Sequence, residues 1–501
     1  MTNPKTFRPW NPEQTLLFPP SPVDWLPENH LVFFLLDLAS ELDLGAIYDA
    51  YFQKDPRGVK AYEPRMMVVL LLYAYCVGLP SSRRIEKACW EDAAFRVLTG
   101  NQQPDHSRIS DFRRRHLAAL AGLFVQVLRL CQKAGLVSLG HVALDGTKIK
   151  ANASKHKAMS HERMLKTEAE LEAEMQALLR RAEIIDAQED ERYGKDKRGD
   201  ELPEELQRRA SRLERIRKAR AELEAEAAAD KARQREQEAR SAEQEAADAQ
   251  GSQRATRRAR ATRQRAEAAR DLAIEKAEVA GLEAPVISAS HDPQSVPSRN
   301  LPTDAAGNPH PKAQRNFTDP DSHILKGGDG WIQGYNCQAA VDGDHQVIVA
   351  VGISNQASDA PHLLPMVEQI KANTGQLPDK LITDAGYCST DNIEACELRG
   401  IDAYISTSRQ KHGKRPRPSR GPAPRDLDAR GRMDRKIRSK AGQAIYALRK
   451  TIVEPVFGQT KGARGLDRFL LRGQEKVNGE WHLMSTTHNI LKLFRTAQAA
   501  A

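Results

Sequence analysis

The chain has 501 residues and carries 76 Lys+Arg against 67 Asp+Glu, a formal net charge of +9. With 40% apolar residues it can bury real cores, so wholesale disorder is excluded, and its length points to about three domains. Six cysteines without a CxxC pair exclude a disulfide-stapled secreted scaffold and a zinc ribbon, and none of the 14 histidines forms an HExxH motif.

The first residues, MTNPKTFRPWNPEQ, lack the apolar core of a signal peptide. The most apolar run, MMVVLLLYAYCVGL from Met66, is about 14 residues, too short to span a bilayer. A soluble, cytoplasmic protein without membrane contact is expected.

Residues 1–135 read as a helical N-terminal domain. An apolar face runs over 25–44, a buried helix over 62–78, and Ser81-Ser82 opens another helix to about Leu98. In PDHSRISDFRRRH (104–116), Asp105 suits an N-cap, followed by Arg108, Arg113, Arg114 and Arg115. Two helices joined by a short turn, the second rich in Arg, Ser and His, fit helix-turn-helix DNA contact. The plainer reading of the arginines is a solvated helix face.

The next segment, HVALDGTKI (141–149), reads as a strand whose apolar part closes at Asp145. Residues 161–280 differ in kind. They hold 27 Lys+Arg, 29 Asp+Glu and one aromatic, Tyr193, so they cannot form a compact core. Ala, Glu, Arg, Gln and Leu favour long helices. Leu171, Met175, Leu178, Ala182 and Ile185 step by four and three, as in a coiled-coil seam, and Leu206, Leu213, Ile216 and Leu223 continue it. A charged helical hairpin over 161–285 is expected, its second arm interrupted near Gln250-Gly251-Ser252. A solvated spacer arm is the plain reading and direct DNA contact the sharper one. Residues 286–314 read as an extended linker, rich in Pro, Asn, Asp and Ser.

From about Gly330 the periodicity turns to strands. WIQGYNCQAAV and QVIVAVGI flank a hairpin turn at Asp342-Gly343-Asp344. A helix follows over 360–372, a strand KLITD ending in Asp384, a helix over 390–399 and a strand over 401–405. Residues 136–160 and 315–495 thus form one α/β domain, a mixed sheet flanked by helices.

Asp145 and Asp384 each end a buried apolar stretch and are followed by small residues, and Glu454 lies in the helical run YALRKTIVEPVFGQTK. Hard oxygen ligands of this kind suit Mg²⁺, and two such ions serve phosphodiester displacement. Taken singly, an Asp-Gly after a strand is a turn and a helical Glu is solvated. Pro455 directly after Glu454 disfavours α geometry there, so an irregular helix start is expected.

Residues 409–440 hold 13 Lys+Arg and three Asp, so they contribute +10 while the other 469 residues sum to −1. With four prolines and three glycines the segment reads as a flexible loop ordered by phosphate, with Lys411, Lys414, Arg415 and Arg417 as DNA contacts. A disordered solubilising loop is the alternative.

LDGTKIKANAS (144–154), DPDSHILKGGDGWIQGYNCQAAVD (319–342), ITDAGYCS (382–389) and IVEPVFGQTKGARGLDRFLLRG (452–473) resemble the DDE transposases of bacterial insertion sequences, more narrowly the insertion-sequence-1182 branch of the group-four/five lineage. The resemblance implies an RNase H-like catalytic domain, two Mg²⁺ ions for which Mn²⁺ could substitute, and cut-and-join chemistry at terminal inverted repeats. It implies Asp145, Asp384 and Glu454 as the catalytic and metal-binding triad, with Tyr446, Arg449 and Lys461 on phosphates. Arg449 competes with Lys450, because the gap to the Glu is four residues where the lineage commonly has three. The implied partners are double-stranded DNA, both element ends and target, and a further copy of the chain on DNA. The alternatives are a DNA-binding or architectural relative without catalysis, and a nuclease that cuts without joining.

Overall fold

The computed structural model describes residues 22–52, 61–193, 204–249, 252–287, 301–304, 306–328, 330–408, 424 and 426–500. The chain opens with α1 (Leu31–Glu41), α2 (Gly45–Phe52), α3 (Pro64–Cys76), α4 (Ser82–Glu91), α5 (Ala93–Leu98), α6 (His106–Arg115) and α7 (Leu117–Lys133). Pro64 at the first turn and Glu63, which accepts from the Met66 N–H, start α3, and every side chain from Met67 to Cys76 is buried. The single helix expected to Leu98 is two: Asp92 accepts from the N–H groups of Ala94 and Phe95 and restarts the chain as α5. Asp105 caps α6, accepting from Ser107 and Arg108 at 3.0 Å each.

The sheet comprises β1 (His141–Lys150), β4 (His323–Gly327), β5 (Gly330–Asp342), β6 (Ile348–Ser354), β7 (Lys380–Thr383) and β8 (Asp402–Ile405); β2 (Ala158–Ser160) and β3 (Gln314–Asn316) form a separate antiparallel pair. Central β1 pairs antiparallel with β5 and parallel with β7; β5 also pairs with β6, and β7 runs parallel to β8. β1 does not close at Asp145. Its pairing with β7 ends at Leu144, but its ladder with β5 continues to Lys150 opposite Gly334, so Asp145 lies mid-strand.

Around the sheet come α11 (Leu363–Thr374), α12 (Thr390–Leu398), α13 (Ala429–Arg438), α14 (Lys440–Ile452), α15 (Glu454–Phe457) and α16 (Gln474–Ala500). α16 packs on α7, α3 and β6. One continuous apolar core therefore joins the N-terminal helices to the sheet, and Trp481 is buried at its centre. Position 135 marks no break in that core.

The inserted helices α8 (His161–Tyr193), α9 (Glu204–Asp248) and α10 (Gln253–Val279) correct the expectation of one hairpin with an interrupted arm. The first half of α9 runs antiparallel to α8, with Arg209 on Glu174 at 3.1 Å and Arg217 on Glu168 at 3.0 Å. Its second half runs antiparallel to α10, with Arg263 on Glu236 at 2.8 Å and Arg258 on Glu245 at 2.8 Å. The two hairpins share α9 and meet at Glu224, which bonds His161 of α8 and Lys276 of α10. The chemistry changes along α9. Leu213 and Ile216 pack with Leu171 and Met164 in the first hairpin, whereas Ala228 and Ala232 meet Ala273 in the second. Small side chains let α10 pack closely back on α9.

Of the expected linker 286–314, residues 288–300 and 305 lie outside the described residues, and 301–304 and 306–316 are tied to this junction. The Leu301 N–H donates to Asp230 at 2.7 Å, and Arg315 bonds both Glu222 and Glu226. The basic segment departs from the expected loop in its described part. Its last third is helix α13, where Lys436 bonds Asp402 and lies over the Tyr404 ring, and Arg432 reaches Glu397 at 3.0 Å. Lys411, Lys414, Arg415 and Arg417 lie outside the described residues. Among the described residues no helix is long and apolar enough to cross a membrane.

Candidate active site

The last parallel pair between β1 and β7 is Leu144 opposite Thr383, and the next residues are Asp145 and Asp384. Two carboxylates thus emerge side by side where parallel strands end, the usual ligand edge of such sheets. Asp145 accepts from the Gly146 N–H at 2.9 Å, and Asp384 caps a 3-10 turn by accepting from Gly386 at 2.8 Å.

Both glycines also lie against a third carboxylate, beside the Gln338 amide at Gly146 and Asp384 itself at Gly386. A Cβ on Gly146 would lie 2.8 Å from Asp359 Oδ1, and one on Gly386 would lie 3.0 Å from Asp359 Oδ2. Asp359 accepts from Asn336 at 2.7 Å, Gln338 at 2.9 Å and Lys148 at 3.4 Å. Nothing in the local sequence marks Asp359 as a site residue. It stands in a polar loop, NQASD, and only the spatial requirement at two distant glycines reveals it.

The third partner is built by proline. Pro455 has no N–H to offer the Thr451 carbonyl, and Gln346 Nε2 donates to that carbonyl instead at 2.7 Å. α14 ends at Ile452, the chain restarts as α15 at Glu454, and a π-helical turn follows over Gly458–Ala463. The expected irregularity is present. Arg449, near the end of α14, reaches Asp145 Oδ2 at 2.5 Å and Glu454 Oε1 at 3.5 Å. Lys450 is exposed, so Arg449 is the residue that faces the carboxylates. Tyr446 sits one turn earlier and half-buried, and Lys461 on the π turn donates to Thr147 Oγ1 at 3.1 Å and to the Lys148 carbonyl.

Burial, the largest influence, pushes the Asp145 carboxyl up to about 6; Arg449 pulls it down, and the charges of Asp384 and Asp359 push it up further. The carboxylates therefore crowd negative charge that a cation would relieve. Among the described residues, no three Asp, Glu, His or Cys side chains already converge as a cation cage. The donors present are hard carboxylate oxygens, and Mg²⁺ needs only one or two of these because it keeps waters and phosphate oxygens. The donor set fits a divalent ion of that kind.

The other sites predicted from sequence are elsewhere. α6 packs on α4, α3 and α7. Arg108, Arg114 and Arg115 are exposed, and Arg114 pairs with Asp111 at 2.7 Å. Arg113 corrects the reading of α6 as a uniformly DNA-facing helix. It is 4% exposed and donates to the Tyr75 hydroxyl, the Pro80 carbonyl and Ser82, because every third or fourth residue of an amphipathic helix turns inward.

A mixed sheet with carboxylates at its parallel-strand edge and a helical carboxylate beside them is an arrangement of hard oxygen donors of the kind that suits a divalent ion at a phosphate. Residues 303–490 match the family described as Transposase DDE domain, and residues 21–115 match the one described as Transposase domain (DUF772). Together these support an insertion-sequence transposase, and the DDE match implies an RNase H-like fold, a DNA substrate and an enzyme that cleaves and transfers DNA. Domains of that family generally use divalent metal ions. Asp384 and Glu454 fall inside the DDE match, and Asp145, separated by the inserted helices, precedes it. No curated protein and no solved structure matches the chain.

Proposed function

We propose that the protein is a DDE transposase that binds the terminal inverted repeats of its element and carries out metal-dependent strand cleavage and strand transfer. Asp145, Asp384 and Glu454 are its triad. The observation that carries the reading is Arg449 bridging Asp145 and Glu454 while Asp384 leaves the adjacent strand. The three carboxylates would hold two Mg²⁺ or Mn²⁺ ions, which when bound supply activation of the attacking oxygen and charge stabilisation at the leaving oxygen.

The chain's own groups do the positioning. Asp145, held mid-strand in β1, and Asp384, just past the end of β7, present their oxygens from rigid backbone, and Arg449 screens their repulsion and offers donors to phosphate. Lys461 locks the π turn to β1, which fixes Glu454 relative to Asp145. Water attacks the phosphodiester at the element end, the P–O bond breaks, and a 3′ hydroxyl is freed. That hydroxyl then attacks a target phosphodiester, so a strand is joined and another 3′ hydroxyl is released.

The same reading assigns Arg108, Arg114 and Arg115 of α6, the residues 409–423 with Lys411, Lys414, Arg415 and Arg417, and Tyr446, Arg449 and Lys461 to DNA. It makes the inserted helices a coiled-coil spacer and the working form at least a dimer on DNA, because two ends must be joined. Membership of the insertion-sequence-1182 branch belongs to this proposal.

Labelled element ends incubated with a target plasmid test it. Joined products that vanish in Asp145→Ala, Asp384→Ala and Glu454→Ala, with DNA binding retained, support it. Cleavage without joining would instead mean a nuclease, and cleavage surviving all three changes would mean that the triad is wrong.

A further inference from the structure

We propose that a basic groove at the far end of β1 is a second DNA-binding site, gripping the backbone about five base pairs from the phosphate at Asp145; this rests on the transposase reading above. The groove has a volume of about 530 Å³ and is lined by Lys150, Lys155, Lys157, Arg468, Arg472 and Trp331, with no acidic side chain in its wall.

Its cations are unequal. Lys150 pairs with Asp467 at 2.8 Å, and Arg472 donates to the Asn152 carbonyl at 3.0 Å. Lys155, Lys157 and Arg468 are exposed, and among the described residues their side chains have no partner. Trp331 is 61% exposed beside them, although a tryptophan usually buries most of its surface. An uncompensated row of cations with an open aromatic face is the surface that takes a phosphate backbone while a sugar or base packs on the ring.

The groove is also rigidly tied to the carboxylates. β1 stays paired with β5 through Lys150, and the loop carrying Arg468 is bonded to that strand end, Lys150 N–H to the Asp467 carbonyl and Phe469 N–H to the Lys150 carbonyl. Asp145 and Lys150 are five residues apart on one strand, which at ~3.3 Å per residue spans ~17 Å. Phosphates along one strand of B-DNA are spaced by about 3.4 Å along the axis, so the same span covers about five base pairs. Side chains alternate across a strand, so Lys150 itself lies on the other face of β1 from Asp145; Lys155, Lys157 and Arg468 stand past the strand end, where a duplex laid along β1 from Asp145 would pass.

The test is the affinity for element-end duplex across a salt series, for the full-length protein and for Lys155→Gln/Lys157→Gln/Arg468→Gln. The log–log salt slope should become shallower by about 2–3, and affinity at 0.1 M salt should fall roughly 10-fold or more. A duplex truncated to fewer than about four base pairs beyond the scissile phosphate should bind both proteins alike. Trp331→Ala should weaken full-length duplex binding a few-fold, and Trp331→Phe should restore most of it. Lys371→Gln, a control on α11, should leave the slope unchanged. Thermal melting reports folding, and Lys157→Glu alone repeats the test with the least disturbance. Tight binding with an unchanged slope in both groove variants overturns the groove alone; a wild-type protein that binds no DNA overturns the transposase reading with it.

Discussion

The Arg449 guanidinium touches Asp145 at 2.5 Å and Glu454 at 3.5 Å, so one fixed cation joins the strand carboxylate to the helix carboxylate. Two bonds from one planar fork define a distance between two elements, which a flexible ammonium cannot do. Arg449→Lys is expected to keep the charge and lose the geometry, lowering strand cleavage by about 10–100-fold with a smaller change in DNA affinity. Arg449→Gln leaves the largely buried Asp145 carboxylate without its cation and should also cost about 1–3 kcal/mol in denaturant unfolding. Lys450→Gln, one residue on but exposed, should change neither. Equal effects at the two positions would show that the bridge has no role.

Crowded charge at Asp145 gives a readout without DNA. The carboxylate is buried beside Asp384 and Asp359, so neutralising it by Asp145→Asn should raise the melting temperature in chelator at pH 7–8. Millimolar Mg²⁺ should stabilise the wild type, since a ligand that binds only the folded state shifts unfolding by mass action, and should do little for Asp145→Asn. A wild type indifferent to Mg²⁺ and Mn²⁺ would count against the metal assignment.

These residues differ in how far the sequence betrays them. Asp145 and Asp384 stand out because each follows an apolar run that must be a buried strand. Their neighbours Gly146 and Gly386 look like turn glycines, and nothing local says that Asp359 needs the space. The long α9 carries a regular leucine seam and then an alanine one, both helical, so periodicity cannot tell an interrupted arm from a second hairpin. Arg113 is hidden by its company: three adjacent arginines look alike until the helix is docked. β4 is short and ends in Gly327-Gly328, which leaves too few side chains to set a period.

Arg113 and Arg115 should accordingly part in experiment. Arg113 and Glu480 both bond the Tyr75 hydroxyl, and Glu480 also accepts from the N–H groups of Leu470 and Leu471, so a buried network ties α3 and α6 to α16. Arg113→Ala should cost about 3–5 kcal/mol by stranding a buried carboxylate. Arg114→Ala/Arg115→Ala should leave the melting temperature nearly unchanged and weaken binding to element ends. If Arg113→Ala were as stable as the wild type, the buried network would be energetically idle.

Acid should unfold the protein partly through His488. Burial holds its pKa down at about 3, and its Nε2–H donates to the Gln346 carbonyl at 2.9 Å. A base depressed in the folded state is protonated first in the unfolded chain, so stability is present above the ordinary pKa near 6.5 and is lost as pH falls below it. This one group should cost roughly 2 kcal/mol by pH 5. His488→Gln should flatten the stability curve between pH 7 and 5, and an unaltered slope would mean that the imidazole is already protonated in the fold.

Glu224 decides whether the inserted helices act as one arm or two. It accepts from His161 at 3.2 Å and from Lys276 at 3.1 Å, at the point where both hairpins meet the chain that returns to the sheet. Nearby, Arg315 holds Glu222 and Glu226 and so couples α9 to β3. If the hairpins are independent, replacing 240–262 by a short Gly-Ser turn should remove the tip of the second hairpin and leave hydrogen exchange in 161–171 and 301–316 unchanged. Glu224→Ala should instead speed exchange on both sides of the junction, near 161–171 and 270–279. Removing 165–280 outright strips Leu301, Ala313 and Arg315 of their partners on α9 and should speed exchange through 301–316. Loosening of the first hairpin by the distal truncation would show that α9 transmits strain along its length and that the two hairpins form one lever.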